Sequence, residues 1–322
     1  MAALAAGCGG DEDAPGDPGK PPADAAEAVP LREQLGALLV SSFLGPELPA
    51  YLHRRLKQHV TTGVILFGGN ALTRGGTEKL TRDIQRAAGG RAIICTDQEG
   101  GAIRSLAFAN SARELAAAGV NVNLAPVADV AGPGSVMAGR AFEGDVSAQV
   151  VAESRHLLDA GVQPTVKHFP GFGRATENTD DAPVTIDAPR GQLEADLEPF
   201  QAAIDAGVPL VMASHALYPA LDDRYVASQS PAILGTLLRE ELDFEGVVIT
   251  DSLEADAVLS RSSVEVGAER SLAAGADLLL MTGRGSWNHV FPYLLRRARE
   301  SPALRDRIAE SYERVWRLKR HL

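Results

Sequence analysis

The chain has 322 residues, 45% of them hydrophobic and 23% charged, enough to bury a large core; pervasive disorder is excluded, and one large α/β barrel or two ordinary domains would fit. A formal net charge of −11 and a pI near 5.2 argue against nucleic acid as a partner, because phosphate-backbone binding rests on clustered Lys and Arg. No run approaches the roughly 18 apolar residues of a membrane-spanning helix.

Residues 1–30 form an acidic leader rich in Gly, Pro and Ala that reads as a disordered tether. Within it, Leu4-Ala5-Ala6-Gly7-Cys8 resembles the lipobox of bacterial lipoproteins, which implies a membrane tether through a lipidated Cys8 and a place in the cell envelope or outside the cell. Only seven residues precede Cys8, fewer than the basic and apolar regions of a secretory signal span. The alternative reading is a plain Ala/Gly-rich leader on a cytoplasmic protein. Cys95 lies in the apolar run Ala92-Ile93-Ile94-Cys95 and reads as a small buried thiol, not as half of a bridge to Cys8.

A single barrel domain is expected over 31–322. Short apolar runs at 37–43, 63–67, 92–96, 122–125, 163–167, 210–214, 246–250 and 276–281 alternate with longer helix-like segments. Their near-continuous hydrophobicity suits parallel strands covered on both faces. Eight βα units in about 290 residues predict a TIM (β/α)8 barrel, whose outer ring the segments 287–300 and 303–318 would close. The unit after the third strand looks shortened, because residues 102–106 run almost directly into the segment 109–118. A doubly wound sheet would instead carry a Gly-rich phosphate turn after an early strand; Phe67-Gly68-Gly69-Asn70 lacks that three-glycine spacing and reads as turn geometry.

Polar residues follow the apolar runs: Asp97 the third, Asp129 the fourth, His168 the fifth, His215 the sixth and Asp251 the seventh. The C-terminal ends of barrel strands share one face, so these side chains are expected to converge. Residues 167–183 stand out, with a cation, an imidazole and two adjacent carboxylates on one loop shaped by Gly and Pro. No His-x-His or His-Glu-x-x-His spacing occurs, so neither a metal nor a cofactor is expected.

Lys167-His168-Phe169-Pro170-Gly171 resembles the Lys-His-Phe-Pro-Gly loop of glycoside hydrolase family 3, the group that includes single-domain bacterial β-N-acetylhexosaminidases, and further motifs follow in the family's order over about residues 33–320. The resemblance implies a retaining exo-glycosidase whose partner is a small carbohydrate, a β-N-acetylglucosaminide or β-glucoside of cell-wall or oligosaccharide origin. Such chemistry needs one carboxylate at the anomeric carbon and a second group to protonate the departing oxygen. Asp251, in Thr250-Asp251-Ser252-Leu253-Glu254, matches the family's nucleophile setting, and a helix opening there would help keep it ionised. The structural alternative is a capping box of Asp251 with Glu254, which is itself the second choice of nucleophile, inside the helix and turned away.

The acid/base loop departs from the family pattern of Gly-His-Gly followed by Asp-Ser-His. Phe172 replaces the first His, and Asn178-Thr179-Asp180 stands in place of Asp-Ser-His, so Asp180 takes the acid/base position with Asp181 as the fallback. A carboxyl group can do this work if burial or the charge of Asp251 raises its pKa; otherwise 178–181 is a solvated turn. The resemblance also implies sugar contacts from Asp97 in Thr96-Asp97-Gln98-Glu99-Gly100-Gly101, from Arg140 in Gly139-Arg140-Ala141-Phe142, and from Lys167 and His168. Either Arg104, displaced in position, stands in for an arginine the family carries just after Gly101, or a piece of the pocket wall is gone; His215 is expected to support the site from behind. His53, His59, His156, His289 and His321 read as structural or solvated, and nothing in the sequence indicates an oligomeric state. A catalytically inactive sugar-binding lipoprotein on the same barrel is the runner-up, and a metal-dependent hydrolase the third reading.

Overall fold

The computed structural model describes residues 29–322, so the expectations for the leader and Cys8 lie outside the described residues. Eight parallel strands make up the main sheet: β1 (Leu39–Ser41), β2 (Gly63–Leu66), β3 (Ile93–Thr96), β4 (Val122–Asn123), β5 (Gln163–Phe169), β6 (Leu210–Ala213), β7 (Val247–Thr250) and β8 (Leu279–Met281). Hydrogen bonding runs β7-β6-β5-β4-β3-β2-β1-β8, and a single parallel bridge between Ile249 and Leu278 joins the two ends into a nearly closed barrel. The barrel expected from the sequence is the fold observed, with each strand on one of the eight apolar runs.

Every residue in these strands is buried, which is why the runs do not alternate with polar residues. Their pleat still sorts the side chains into two layers. Val64, Leu66 and Ile94 pack outward with Leu52 and Leu56 of the helix Ala50–Lys57 and with Leu80 and Ile84 of the helix Arg74–Ala87. The intervening Ile65 and Cys95 join Met212, Ile249 and Leu280 in a different cluster. Gly63 lets β2 approach β3 closely, since a Cβ there would lie 1.8 Å from the Ile93 carbonyl oxygen.

The unit after β3 is irregular, as expected: an antiparallel ribbon of Gln98–Gly100 and Ile103–Arg104 leads to a helix of only six residues, Ala112–Ala117. A second ribbon, Leu217–Tyr218 with Asp222–Val226, follows β6, and the crossover to β7 is the π-wound helix Ala232–Glu241. The helices Ser286–Glu300 and Pro302–Lys319 close the outer ring within two residues of the expected limits. Among the described residues no helix is long and apolar enough to cross a membrane.

Candidate active site

The C-terminal rim of the barrel holds a cavity of about 310 Å³ lined by Asp97, Glu99, Arg140, Lys167, His168, Phe172, Asp180 and Asp251, among others. In a regular strand two successive residues point to opposite faces, yet Lys167 and His168 both line it. A register irregularity between Val166 and Phe169, where β5 pairs with β6, re-aims the strand at this point, as bulges beside active sites do.

The floor is a network of opposite charges. The fully buried Lys167 ammonium donates to Asp97 Oδ1 at 2.7 Å and lies 2.7 Å from Glu99 Oε1. Arg140 grips the same Glu99 with two nitrogens, at 2.8 and 2.6 Å. Burial alone would raise the Glu99 pKa, but the charges of Lys167 and Arg140 outweigh it and hold the carboxyl at about 2. Burial likewise opposes the charge on Lys167, and Asp97 and Glu99 reverse that effect, keeping its pKa above the ordinary value. Glu99, Lys167 and Arg140 are therefore held in their charged forms, and the ion pairs fix the geometry of the network.

His168 is oriented from behind. Its Nδ1 lies 2.7 Å from Oδ2 of the fully buried Asp129, whose Oδ1 accepts from the backbone N–H groups of His168 and Phe172. Asp129 thereby fixes Nδ1 as the protonated nitrogen, and Nε2 is left 3.4 Å from an Arg140 nitrogen.

Asp251 follows β7, its N–H bonded to the Ala213 carbonyl and its Oδ1 accepting from Ser252 N–H at 2.7 Å. Burial would raise its pKa, but His168, His215, the Ser252 N–H and Lys167 together bring it below the usual carboxylate range. The expected helix start is not there: a turn follows, and the short helix Asp256–Leu259 begins five residues on, so neighbouring side chains and the Ser252 N–H, not a helix end, lower the Asp251 pKa. The capping box is absent too, because Glu254 Oε2 accepts from Thr282 N–H at 2.8 Å and points away from the cavity. His215 acts from behind as expected. Burial lowers its pKa, with Nδ1 against the Ser228 hydroxyl and Nε2 donating to the Ser252 carbonyl, which ties the backbone beside Asp251.

Asp180 reaches the cavity on a loop fastened along its length. Tyr218 donates to the Gly171 carbonyl, Gly132 N–H to Gly173, Val136 N–H to Ala175, and the N–H groups of Asp256 and Ala257 to Asp180 and Thr179. Arg174 pairs with Asp196 through two nitrogens at 2.6 and 3.1 Å. At Gly173 a Cβ would lie 2.0 Å from the Val130 carbonyl oxygen, so a side chain there would push the loop outward. Asp180 is itself exposed at the cavity mouth, and its pKa is raised first by partial desolvation and then by the charge of Asp251. Asp181 is exposed and does not line the cavity.

Residues 107–318 match the glycosyl hydrolase family 3 N terminal domain. The chain belongs to this family. It is a glycoside hydrolase by that membership, 33% identical to a beta-hexosaminidase of Stenotrophomonas maltophilia (strain K279a) over 281 residues, 76% of this chain and 83% of that one. A glycoside hydrolase family 3 beta-N-acetylglucosaminidase from Paenibacillus sp. str. FPU-7 superposes with a TM-score of 0.86 at 31% identity, covering 91% of this chain but only 63% of its own. A beta-N-acetylhexosaminidase from Beutenbergia cavernae DSM 12333 gives 0.81 at 29% identity, covering 90% and 98%.

In this family 3 barrel the six residues singled out from the sequence, Asp97, Arg140, Lys167, His168, Asp180 and Asp251, all line one cavity. Arg104 does not join them: it turns to the Ala109 carbonyl and Asn110 and lines a separate cavity behind the ribbon, so it does not replace the family's arginine. One buried carboxylate, Glu99, escaped the sequence reading, whereas Asp129, expected among the converging side chains, orients His168 and does not itself line the cavity. Glu99 shares a strand face with Asp97 two residues earlier, an alternation that would have placed it in the site. Asp129 lies beyond the apolar run 122–125, but an extra bridge between Val127 and Lys167 continues the pairing of β4 with β5 nearly up to it. Among the described residues no group of three or more His, Cys, Asp or Glu is arranged to hold a metal ion.

Proposed function

We propose that the chain is a retaining exo-β-N-acetylglucosaminidase in which Asp251 is the nucleophile and Asp180 the acid/base. The observation that carries this reading is a pair of carboxylates on one cavity with pKa values driven apart, Asp251 downward and Asp180 upward, the charge of the first contributing to the rise of the second. In the first step Asp251 attacks the anomeric carbon as Asp180 gives its proton to the departing oxygen. In the second, Asp180 takes a proton from water, which displaces Asp251 and returns the original configuration. Asp97, Arg140, Lys167 and His168 supply a rigid set of donors and acceptors for the sugar hydroxyls. The choice of N-acetylglucosaminide over β-glucoside rests on the activities named for the relatives above.

The test is hydrolysis of an aryl β-N-acetylglucosaminide followed by NMR. The β anomer is expected to form first, and Asp251→Asn is expected to abolish turnover. Initial release of the α anomer would overturn the assigned roles.

A further inference from the structure

Asp251 stands at the least connected pair of strands in the barrel. β7 and β8 share one bridge, Ile249 with Leu278, so the turn after β7 reaches β8 through bonds of its own. The Leu253 N–H donates to the Leu280 carbonyl at 3.0 Å, and the Glu254 side chain adds a second tie. Its Oε2 accepts from the Thr282 N–H at 2.8 Å and lies 3.3 and 3.4 Å from the hydroxyls of Ser252 and Thr282, which bond each other. Thr282 is anchored in turn by its carbonyl, which accepts from the Ser42 hydroxyl just past β1 at 2.7 Å. The Ser252 N–H, on the residue held by this clamp, donates to Asp251 Oδ1 at 2.7 Å.

Two details tie the clamp to this one carboxylate. A Cβ at Gly283 would lie 2.5 Å from Glu254 Cγ and 2.9 Å from its Cδ, so a side chain at 283 would drive Glu254 off Thr282. Glu254 Oε1 is buried with no hydrogen-bond partner among the described residues. A buried oxygen without a donor is a cost to the fold, so what Glu254 contributes comes through Oε2 alone. Resting on the nucleophile role proposed for Asp251, we infer that Glu254 is a positioning residue: through Ser252 and Thr282 it holds the Ser252 N–H on Asp251 and aims the nucleophile at the anomeric carbon.

The charged and titratable groups facing Asp251 are Lys167 and His168 of β5, His215 after β6, Arg140 and Asp180, and none of them bonds the Glu254 carboxylate. The Ser252 N–H favours the ionised form of Asp251, so losing it moves the acid limb of the kcat/KM profile to higher pH. Losing a nearby negative charge would move that limb the other way.

Glu254→Met, which keeps the volume and removes the acceptor, should raise the acid limb and lower kcat/KM on an aryl β-N-acetylglucosaminide by about tenfold to a hundredfold. Gly283→Ala, which displaces the same carboxylate, should give the same shift and takes its place in the test if Glu254→Met does not fold. Glu254→Gln, which keeps an acceptor for the Thr282 N–H, should leave the limb in place and retain most of the rate. The position of the limb is independent of the amount of folded protein. A limb unmoved or lowered in Glu254→Met, or raised as far in Glu254→Gln, overturns the positioning role and leaves the glycosidase reading standing. If the wild type cleaves no aryl glycoside, that reading fails instead, and carbon-13 NMR titration of the Asp251 carboxyl, assigned with Asp251→Asn, decides the clamp: an upward shift in Glu254→Met supports it, and none overturns it.

Discussion

In the acid/base role proposed for it, Asp180 depends on its position, since an aspartate on an open turn would stay ionised at neutral pH. Asp180 is exposed at the mouth of the cavity, where partial desolvation and the charge of Asp251 raise its pKa, while His168, His215 and Lys167 lower that of Asp251. On the proposed mechanism turnover requires Asp251 ionised and Asp180 protonated, so kcat/KM should fall on the acid side as Asp251 takes a proton, below the usual aspartate range, and on the alkaline side as Asp180 loses its own, above that range. Asp180→Ala should erase the alkaline limb, cut the rate on poor leaving groups by about 10²-fold or more, and respond to azide. A surviving alkaline limb in that variant would assign the proton to another group.

The elements place these residues through local features of uneven legibility. Eight apolar runs foretold the strands because burial on both faces demands continuous hydrophobicity. The loop at 167–183 was legible because Lys, His and Asp are rare so close together on a segment shaped by Gly and Pro. Tertiary features were not: the irregularity at Lys167, the pairing of Arg174 with Asp196, and the turn where a helix had been expected after Asp251 all depend on neighbours distant in sequence. The Arg174 pair argues that the acid/base loop is held in its working position before substrate arrives, so Arg174 is a positioning residue. Arg174→Ala should lower kcat/KM on alkyl glycosides, which need a proton on the leaving oxygen, by about tenfold, and spare dinitrophenyl glycosides, which do not. Arg174→Lys should restore part of the loss. Equal losses on both leaving groups would reduce the pair to a structural role.

On the scale of the whole molecule, the weak point is the seam. Seven neighbouring strand pairs are joined by ladders, whereas β7 and β8 meet through one bridge, Ile249 with Leu278. Asp277, fully buried at the start of β8, spans that seam from the end opposite the active site: its Oδ2 accepts from Val248 N–H and Arg239, and its Oδ1 from Arg307 and Ser311, with Arg314 at 3.4 Å. Arg239 comes from the helix before β7, and Arg307, Ser311 and Arg314 from the last helix, so one carboxylate ties strand, seam and outer ring together. Burial pulls the Arg239 pKa down to about 10 despite the carboxylate beside it, a sign of how dry this end of the barrel is. Removing the charge leaves three guanidinium groups facing one another with no anion, a defect that costs about 3–5 kcal/mol in comparable buried pairs. Asp277→Asn should therefore lower the urea midpoint substantially, while kcat/KM per folded molecule on an aryl glycoside stays near the wild-type value, because the cavity is built at the other rim. An unchanged midpoint would mean that the barrel is closed by its packed core alone, and that the single bridge between β7 and β8 needs no help.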